Sequence, residues 1–301
     1  KIAMKKNILA LIYVGLCLHG FSQLDRSIIP EAGEPKEVNL KSPEVFKTAN
    51  GITVILSEDH KIPKVSLRFV AGSDSKIENE KAGLSSMAGE LIMSGTSNRT
   101  KDVLDNEIDF IGASVNASDN TVSLRCLKKH LSNGMDLMTD VLFNADFPTD
   151  EVDRIKKLAA SSLTSIKSNA DAMADNAIRK VNFPNHPYSN ILTEATLQNI
   201  TREDMLTYYK ATFTPKGSYL VVVGDVTRSE TEALIDHYFK TWSGDEPEIN
   251  KYERRVPKNG NQVYFIDKPG AVQSVIYVTF PVDMQIGDPN QIKTKLLNNI
   301  L

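Results

Sequence analysis

Cysteine is scarce: Cys17 and Cys126 are the only two in 301 residues. Tryptophan occurs once and histidine five times. No run of Lys or Arg occurs, and no apolar stretch reaches the ~20 residues a helix needs to span a bilayer. Each shortage excludes something. If the N-terminal segment is removed, Cys126 stands alone and no internal disulfide can form. His60, His130, His186 and His237 are at least 51 residues apart, so no two share one element at metal-ligand spacing. Without a basic run there is no footprint for nucleic acid, whose affinity rests on neutralised phosphates.

What is present is an ordinary globular composition, 41% hydrophobic and 24% charged. The length suits two domains better than one, since single cores stop growing near ~250–300 residues. Met4-Lys5-Lys6 precedes an apolar segment, Ile8–Leu18, and His19-Gly-Phe-Ser22 follows it. This is the layout of a secretory signal peptide over 1–22, cut after Ser22. The segment is short for a membrane anchor, and Val-Gly-Leu before Cys17 fits a lipobox poorly. The expectation is an exported protein, periplasmic or extracellular, with no membrane span after cleavage. Its mature chain would carry 32 basic and 38 acidic residues, a net charge of −6.

Residues 23–43, with Pro30, Pro35 and Pro43, read as an extended leader. A domain over 44–242 follows. Strands are expected at Ile52–Glu58, Lys64–Gly72, Ala113–Ser118 and Thr121–Leu127, the last two flanking an Asp119-Asn120 turn. Ser218–Val226, "SYLVVVGDV", reads as a strand buried on both faces. Helices are expected at Ala82–Thr96, Thr100–Ile111, Lys129–Asn144, Asp150–Ser168 and Asp171–Asn182. Two more open at the capping boxes Thr201–Asp204 and Thr227–Glu230. A charged stretch, 243–262, reads as a linker. Beyond it, "NGNQVYFIDKPGAVQSVIYVTFP" from Asn259 echoes "NGITVILSEDHKIPKVSLRFVAG" from Asn50. The fold class is therefore α+β, one full copy plus the start of a second over 263–301, which stops inside a helix as a fragment would.

"AGLSSMAGELIMSGT" (Ala82–Thr96) has Leu84, Met87, Ala88, Leu91 and Ile92 on one helical face. Its other positions are Ser, Gly and Glu. With "GASVNASDNTVSL", "HPYS", "TREDMLTYYKATFTPKGSYLVVVGDV" and the Asn50-Gly51 strand opening, it resembles the pitrilysin/insulinase-type (M16) zinc metallopeptidase family. The resemblance covers Val45 to the end. It implies a two-layer sheet-and-helix domain, two pairs of which close like a clamshell around a peptide. It also implies that this helix corresponds to the one bearing the inverted zinc motif His-x-x-Glu-His. There two imidazoles one turn apart bind Zn²⁺, the intervening Glu polarises a water, and a later Glu completes the site.

Here the motif positions fall on Ser86, Gly89 and Glu90, and the later ligand falls near Ala160. From Arg154 to Ala170 there is no Asp, Glu, His or Cys. A member, or half, without the metal chemistry is implied, with no cofactor in this chain and Glu90 left as a solvated or ion-paired acid. Ser85 or Ser86 as a nucleophile would need a base, and no partner His is visible. Gly224-Asp225 lacks the further glycines of a nucleotide loop. The family places the strand at Ala113, Ser114, Val115, Asn116 and Ala117 on a sheet edge, where an extended substrate could add; a neighbouring element could equally cover it. The reading is an exported non-catalytic half that binds an extended peptide or unfolded protein. It would support proteolysis by a zinc-bearing M16 partner subunit or domain, being itself inactive alone. A stand-alone peptide-binding or scaffold protein of the cell envelope is the alternative, and an active peptidase with unfamiliar ligands a third reading.

Overall fold

The computed structural model describes Gly33 and residues 42–252, 260–280, 282, 284 and 287–300. The expected signal peptide and all of the leader but Gly33, Ser42 and Pro43 lie outside them. The chain divides into two units after Lys41, and every element belongs to the second.

In chain order the elements are β1 (Glu44–Lys47), β2 (Thr53–Glu58), β3 (Lys64–Val70), α1 (Leu84–Leu91), α2 (Lys101–Phe110), β4 (Ser114–Ala117) and β5 (Thr121–Leu127). There follow α3 (Leu131–Asn144), α4 (Thr149–Ser168), α5 (Ala170–Asn182), α6 (Glu194–Asn199), α7 (Arg202–Thr212), β6 (Tyr219–Gly224), α8 (Arg228–Phe239) and α9 (Gln291–Ile300). The strands form one sheet in the order β1-β2-β6-β3-β5-β4. Only β2 and β6 run parallel.

Alternation decides which face of that sheet is covered. Val54, Leu56, Val65, Leu67, Phe69, Val122, Leu124, Leu220 and Val222 are buried, with the helix residues Met87, Leu91, Met135, Met138 and Phe239 in the same core. Their period of two puts them on one face. The opposite face is open. Tyr219 and Val223 on β6 are 46% and 42% exposed, so β6 is covered on one face only, not on both as its apolar run suggests. Among the described residues no second layer lies on that side, and a continuous apolar run alone cannot reveal how many faces are covered.

Other expectations shift at boundaries. α1 ends at Leu91 although its apolar spacing continues through Ile92. The Ser94-Gly95-Thr96 segment is instead drawn into bridges with Thr100 and Ala145. Asp140 on α3 holds it there. This carboxylate, 5% exposed, accepts from Thr96 Oγ1 (2.7 Å), Asn98 Nδ2 (2.6 Å), Arg99 Nη1 (2.7 Å) and Asn144 Nδ2 (2.9 Å). Asn50 makes a comparable tie: its Nδ2 donates to the carbonyls of Phe239 and Trp242, at 2.8 and 3.0 Å. The domain's first turn thereby closes on its last helix. α6, opened by a Thr193/Thr196 capping box, has no counterpart among the helices expected from the sequence.

The echo of the first strands over 260–280 forms no ladder. Its described residues have no regular structure, and Val263, Phe265, Val272 and Ile276 are more than 80% exposed. A strand needs a partner for its amides, and the described residues offer this segment none. The start of the expected linker is not free either. Asn250 N donates to Asp74 Oδ2, Lys76 pairs with Glu248, and Tyr252 OH donates to the Ser75 carbonyl.

Burial alone would raise the Asp140 carboxyl, but its donors Thr96, Asn98, Asn144 and Arg99 hold it below the ordinary value. A lowered carboxylate contributes stability that is present above its unfolded value, near ~3.9, and lost as pH falls through the folded one. Asp140→Asn should cost about 3 kcal/mol at pH 7, because it removes the charge of a buried network and turns one acceptor oxygen into a donor facing donors. The deficit should shrink as the pH of urea unfolding is lowered below ~4. A pH-independent deficit would contradict this account.

Candidate functional site

The site helix α1 begins without a side-chain cap of its own. Gly83 precedes it at φ +102, a conformation that favours glycine. Glu78 supplies the missing acceptor from outside: its two carboxylate oxygens take the amides of Gly83 (2.6 Å) and Ser85 (2.8 Å). That places a negative charge at the helix N-terminus, where the helix dipole favours it. Glu78 is itself held through its own amide, which donates to Asn190 Oδ1.

From this start α1 buries Met87, Ala88, Gly89 and Leu91 and exposes Ser86 and Glu90. The helix thus splits the three motif positions. Ser86 and Glu90 open on a cleft of about 460 Å³ between α1, α4 and α5, and Gly89 faces inward. A Cβ placed on Gly89 would stand 2.5 Å from Asp119 N and 2.9 Å from the Ser118 carbonyl carbon. The β4–β5 turn therefore fills the space into which any side chain at this position would grow. Behind that turn Tyr208 of α7 donates its hydroxyl to the Asp119 carbonyl at 3.1 Å, and burial pushes its phenol up to about 12. The turn is clamped between two helices.

On the α4 side the cleft is lined by Leu158, Ala159, Ser162 and Ile166. Ala160, the expected ligand position, points outward one residue away from this lining. Ser162, one turn on from Leu158, is the polar α4 residue in the same lining as Ser86. Sequence spacing could not separate these positions, because a helix rotates the side chain by about 100° per residue. Glu90 lies near Arg154, whose guanidinium is held by Glu151 at 2.7 Å and feels the charge of Glu90 as well.

The fit to zinc is poor on this geometry. α1 offers one carboxylate, the Gly89 position is closed by backbone, and the α4 wall is apolar or hydroxylic. Zinc needs three or four N, S or O donors converging at ~2 Å. Among the described residues no three His, Cys, Asp or Glu side chains come together in that way. His60 and His186 have partners away from this cleft. His60 lies 2.7 Å from Asp225 and 3.4 Å from Glu58, and the bond to Asp225 raises its basicity. His186 sits among the rings of Phe183, Tyr188 and Tyr252. Gly224, at φ +131 with the Lys64 carbonyl against it, closes β6 onto β3 and has no role in a nucleotide loop. Cys126 is buried, which pushes its thiol up to about 11.

β4 lies at the sheet edge, pairing with β5 alone among the strands. The Ser118–Thr121 amide-to-carbonyl bond closes the turn, so bonded and non-bonded pairs alternate from there. This leaves the amides and carbonyls of Val115 and Ala117 on the open side, and those of Ser114 and Asn116 toward β5.

A six-stranded sheet with helices packed on one face, and a cleft beside α1 whose lining suits zinc poorly, make up a two-layer α+β domain. The chain belongs to peptidase family M16. The model of that family described as insulinase matches residues 53–196, and the model described as the M16 inactive domain matches residues 199–301. Among curated relatives, it is 23% identical over 239 residues to a probable mitochondrial-processing peptidase subunit beta of Arabidopsis thaliana, covering 76% of this chain and 45% of that protein. It is 24% identical to cytochrome b-c1 complex subunit 1 of Caenorhabditis elegans, covering 74% and 48%. The chain thus spans about half the length of the curated relatives it matches. Among solved structures it is similar to an M16 inactive domain from Pseudomonas fluorescens, at TM-score 0.66 and 20% identity over 72% of this chain and 54% of that one. It also matches the periplasmic protease PqqL from Escherichia coli, at TM-score 0.61 and 16% identity, covering 73% and 26%. At these identities the structures establish the fold.

Gly→Ala in a helix ordinarily gains up to ~1 kcal/mol. At Gly89 the sign should reverse, with a loss of about 1–3 kcal/mol from overpacking against the turn. Ser86→Ala and Glu90→Gln, on the exposed side, should stay within about 0.5 kcal/mol. Urea unfolding midpoints of the three variants check the contrast.

Proposed function

We propose that this chain is an exported, non-catalytic M16 half that holds extended peptide while a zinc-bearing M16 partner subunit or further domain cuts it. The observation that carries this reading is the closure of the Gly89 position by the β4–β5 turn. A site that had merely lost ligands could be a recent failure. One whose general-base position is filled by clamped backbone is built for something other than metal hydrolysis. What it retains is a surface: the open edge of β4, where backbone pairing tolerates many peptide sequences.

The relatives lend support from two sides. One that it resembles is a subunit of a mitochondrial-processing peptidase, and another is a subunit of the cytochrome b-c1 complex, so chains similar to this one act as subunits. PqqL is a periplasmic protease, which agrees with the export expected from residues 1–22. In such an assembly this half would supply one wall of a clamshell and the first grip on substrate.

The purified chain, dialysed exhaustively against metal-free buffer, should carry near-zero zinc and cleave no peptide. Mixed with an M16 subunit that has an intact His-x-x-Glu-His motif and is encoded beside it, it should co-elute and raise peptide cleavage. One tightly held zinc per chain would overturn the reading. A monomeric, zinc-free chain that binds peptide but no such subunit would favour the scaffold alternative. Separately, Ala117→Pro removes one outward amide from the β4 edge. It should weaken binding of an unstructured peptide about fivefold, the equivalent of one backbone hydrogen bond, with little change in the folded circular dichroism spectrum.

A further inference from the structure

The cleft that replaces the metal site is not inert. Four of its polar side chains have hydrogen-bonding capacity that the described residues leave unused. Ser86 on α1, Ser162 on α4 and Asn176 on α5 have no side-chain partner among those residues. Arg179, one turn beyond Asn176, spends only its Nε, donating at 2.8 Å to the Tyr188 carbonyl. That bond aims the guanidinium and leaves both terminal amino groups without a described partner. No described carboxylate lies within ion-pair distance of it, Asp175 one turn earlier included.

The other charged residue of the lining, Glu90, makes no ion pair among the described residues; only the longer-range charge of Arg154, itself bonded to Glu151, acts on it. Beside Arg179 the walls are apolar: Leu158 is 53% exposed, and Ile166 and Leu192 are half-buried at the same opening. An arginine fixed by one backbone bond, with an amide one turn away and apolar walls around it, matches one kind of ligand. A planar carboxylate takes the paired terminal amino groups in a fork, which a lysine could not offer.

We infer that this cleft binds a carboxylate flanked by an apolar side chain. Arg179 and Asn176 take the carboxylate, and Leu158, Ile166 and Leu192 take the apolar group. The inference rests on the peptide-holding function proposed above and adds where along the peptide the grip falls. Two sources offer the same chemistry: the C-terminal carboxylate of a peptide, or an internal Asp or Glu next to an apolar residue.

Three fluorescein-labelled hexapeptides of otherwise identical neutral sequence separate the sources. One ends in leucine with a free carboxylate, one in leucine amide, and one in leucine amide preceded by glutamate. Fluorescence anisotropy with the full chain should show one or both carboxylate peptides binding roughly fivefold to tenfold tighter than the neutral amide, a preference that fades with salt. Arg179→Gln should erase the preference. Asn176→Asp, which alters no hydrogen bond among the described residues and so spares the fold, should erase it too by setting a like charge against the ligand. Equal binding of all three peptides would overturn the carboxylate grip and leave the peptide-holding function standing. No binding of any peptide would overturn both. A preference that survives both substitutions would overturn the placement at Arg179.

Discussion

The structure turns on the approach of α1 to the β4–β5 turn. At Gly89 helix and turn backbone come so close that a single methyl group would collide with Asp119 N. This contact sets how deeply α1 sits on the sheet and lets Met87, Ala88 and Leu91 reach the core. It also fixes the outer end of the edge hairpin, with Tyr208 holding the turn from behind. Close packing of this kind is all-or-none: an interior at crystal-like density has no spare volume for an ionisable side chain. The same contact that completes the core leaves no room for a side chain at position 89.

Two polar devices keep the contact in place, and both act at the ends of α1. Glu78 supplies the acceptor that Gly83 lacks at the N-terminus. At the other end Asp140 gathers Thr96, Asn98, Arg99 and Asn144 and turns the chain away from the helix axis. An ionised group buried this deeply is tolerated because each lone pair finds a donor. With the ends pinned, Ser86 and Glu90 are left facing a cleft lined by α4 and α5. Arg179 stands in the lining of the same cleft, and β4 pairs with β5 alone among the strands.

Much of this was legible in the residues. The period-two and 3.6-residue patterns located α2 through α5 and the core strands to within about a turn. Thr201 and Thr227 announced α7 and α8 through capping boxes that the structure forms. The placing of the zinc-motif positions on Ser86, Gly89 and Glu90 rests on the family resemblance and the motif's spacing. Other features had no local signature. α6 is six residues long, too short for periodicity to declare. The early end of α1 depends on Asp140, 44 residues beyond Thr96. The strands expected after residue 259 have the right apolar pattern, but a strand exists only against a neighbour.

The sequence by itself determined the family and the α+β class, because each is a matter of which residue types stand at which intervals. It also determined that no disulfide within 42–301 supports the domain, since Cys126 is the only cysteine there. The tertiary structure alone decided that the Gly89 position is closed and not merely empty. It alone decided that β6 is covered on one face among the described residues, that β4 pairs with β5 alone among the strands, and that Ser162 rather than Ala160 lines the cleft with Ser86. The physical reason is common to all four. Helix and strand periods state which residues share a face, but what covers that face depends on contacts between segments far apart in the chain, and these exist only once the chain has folded.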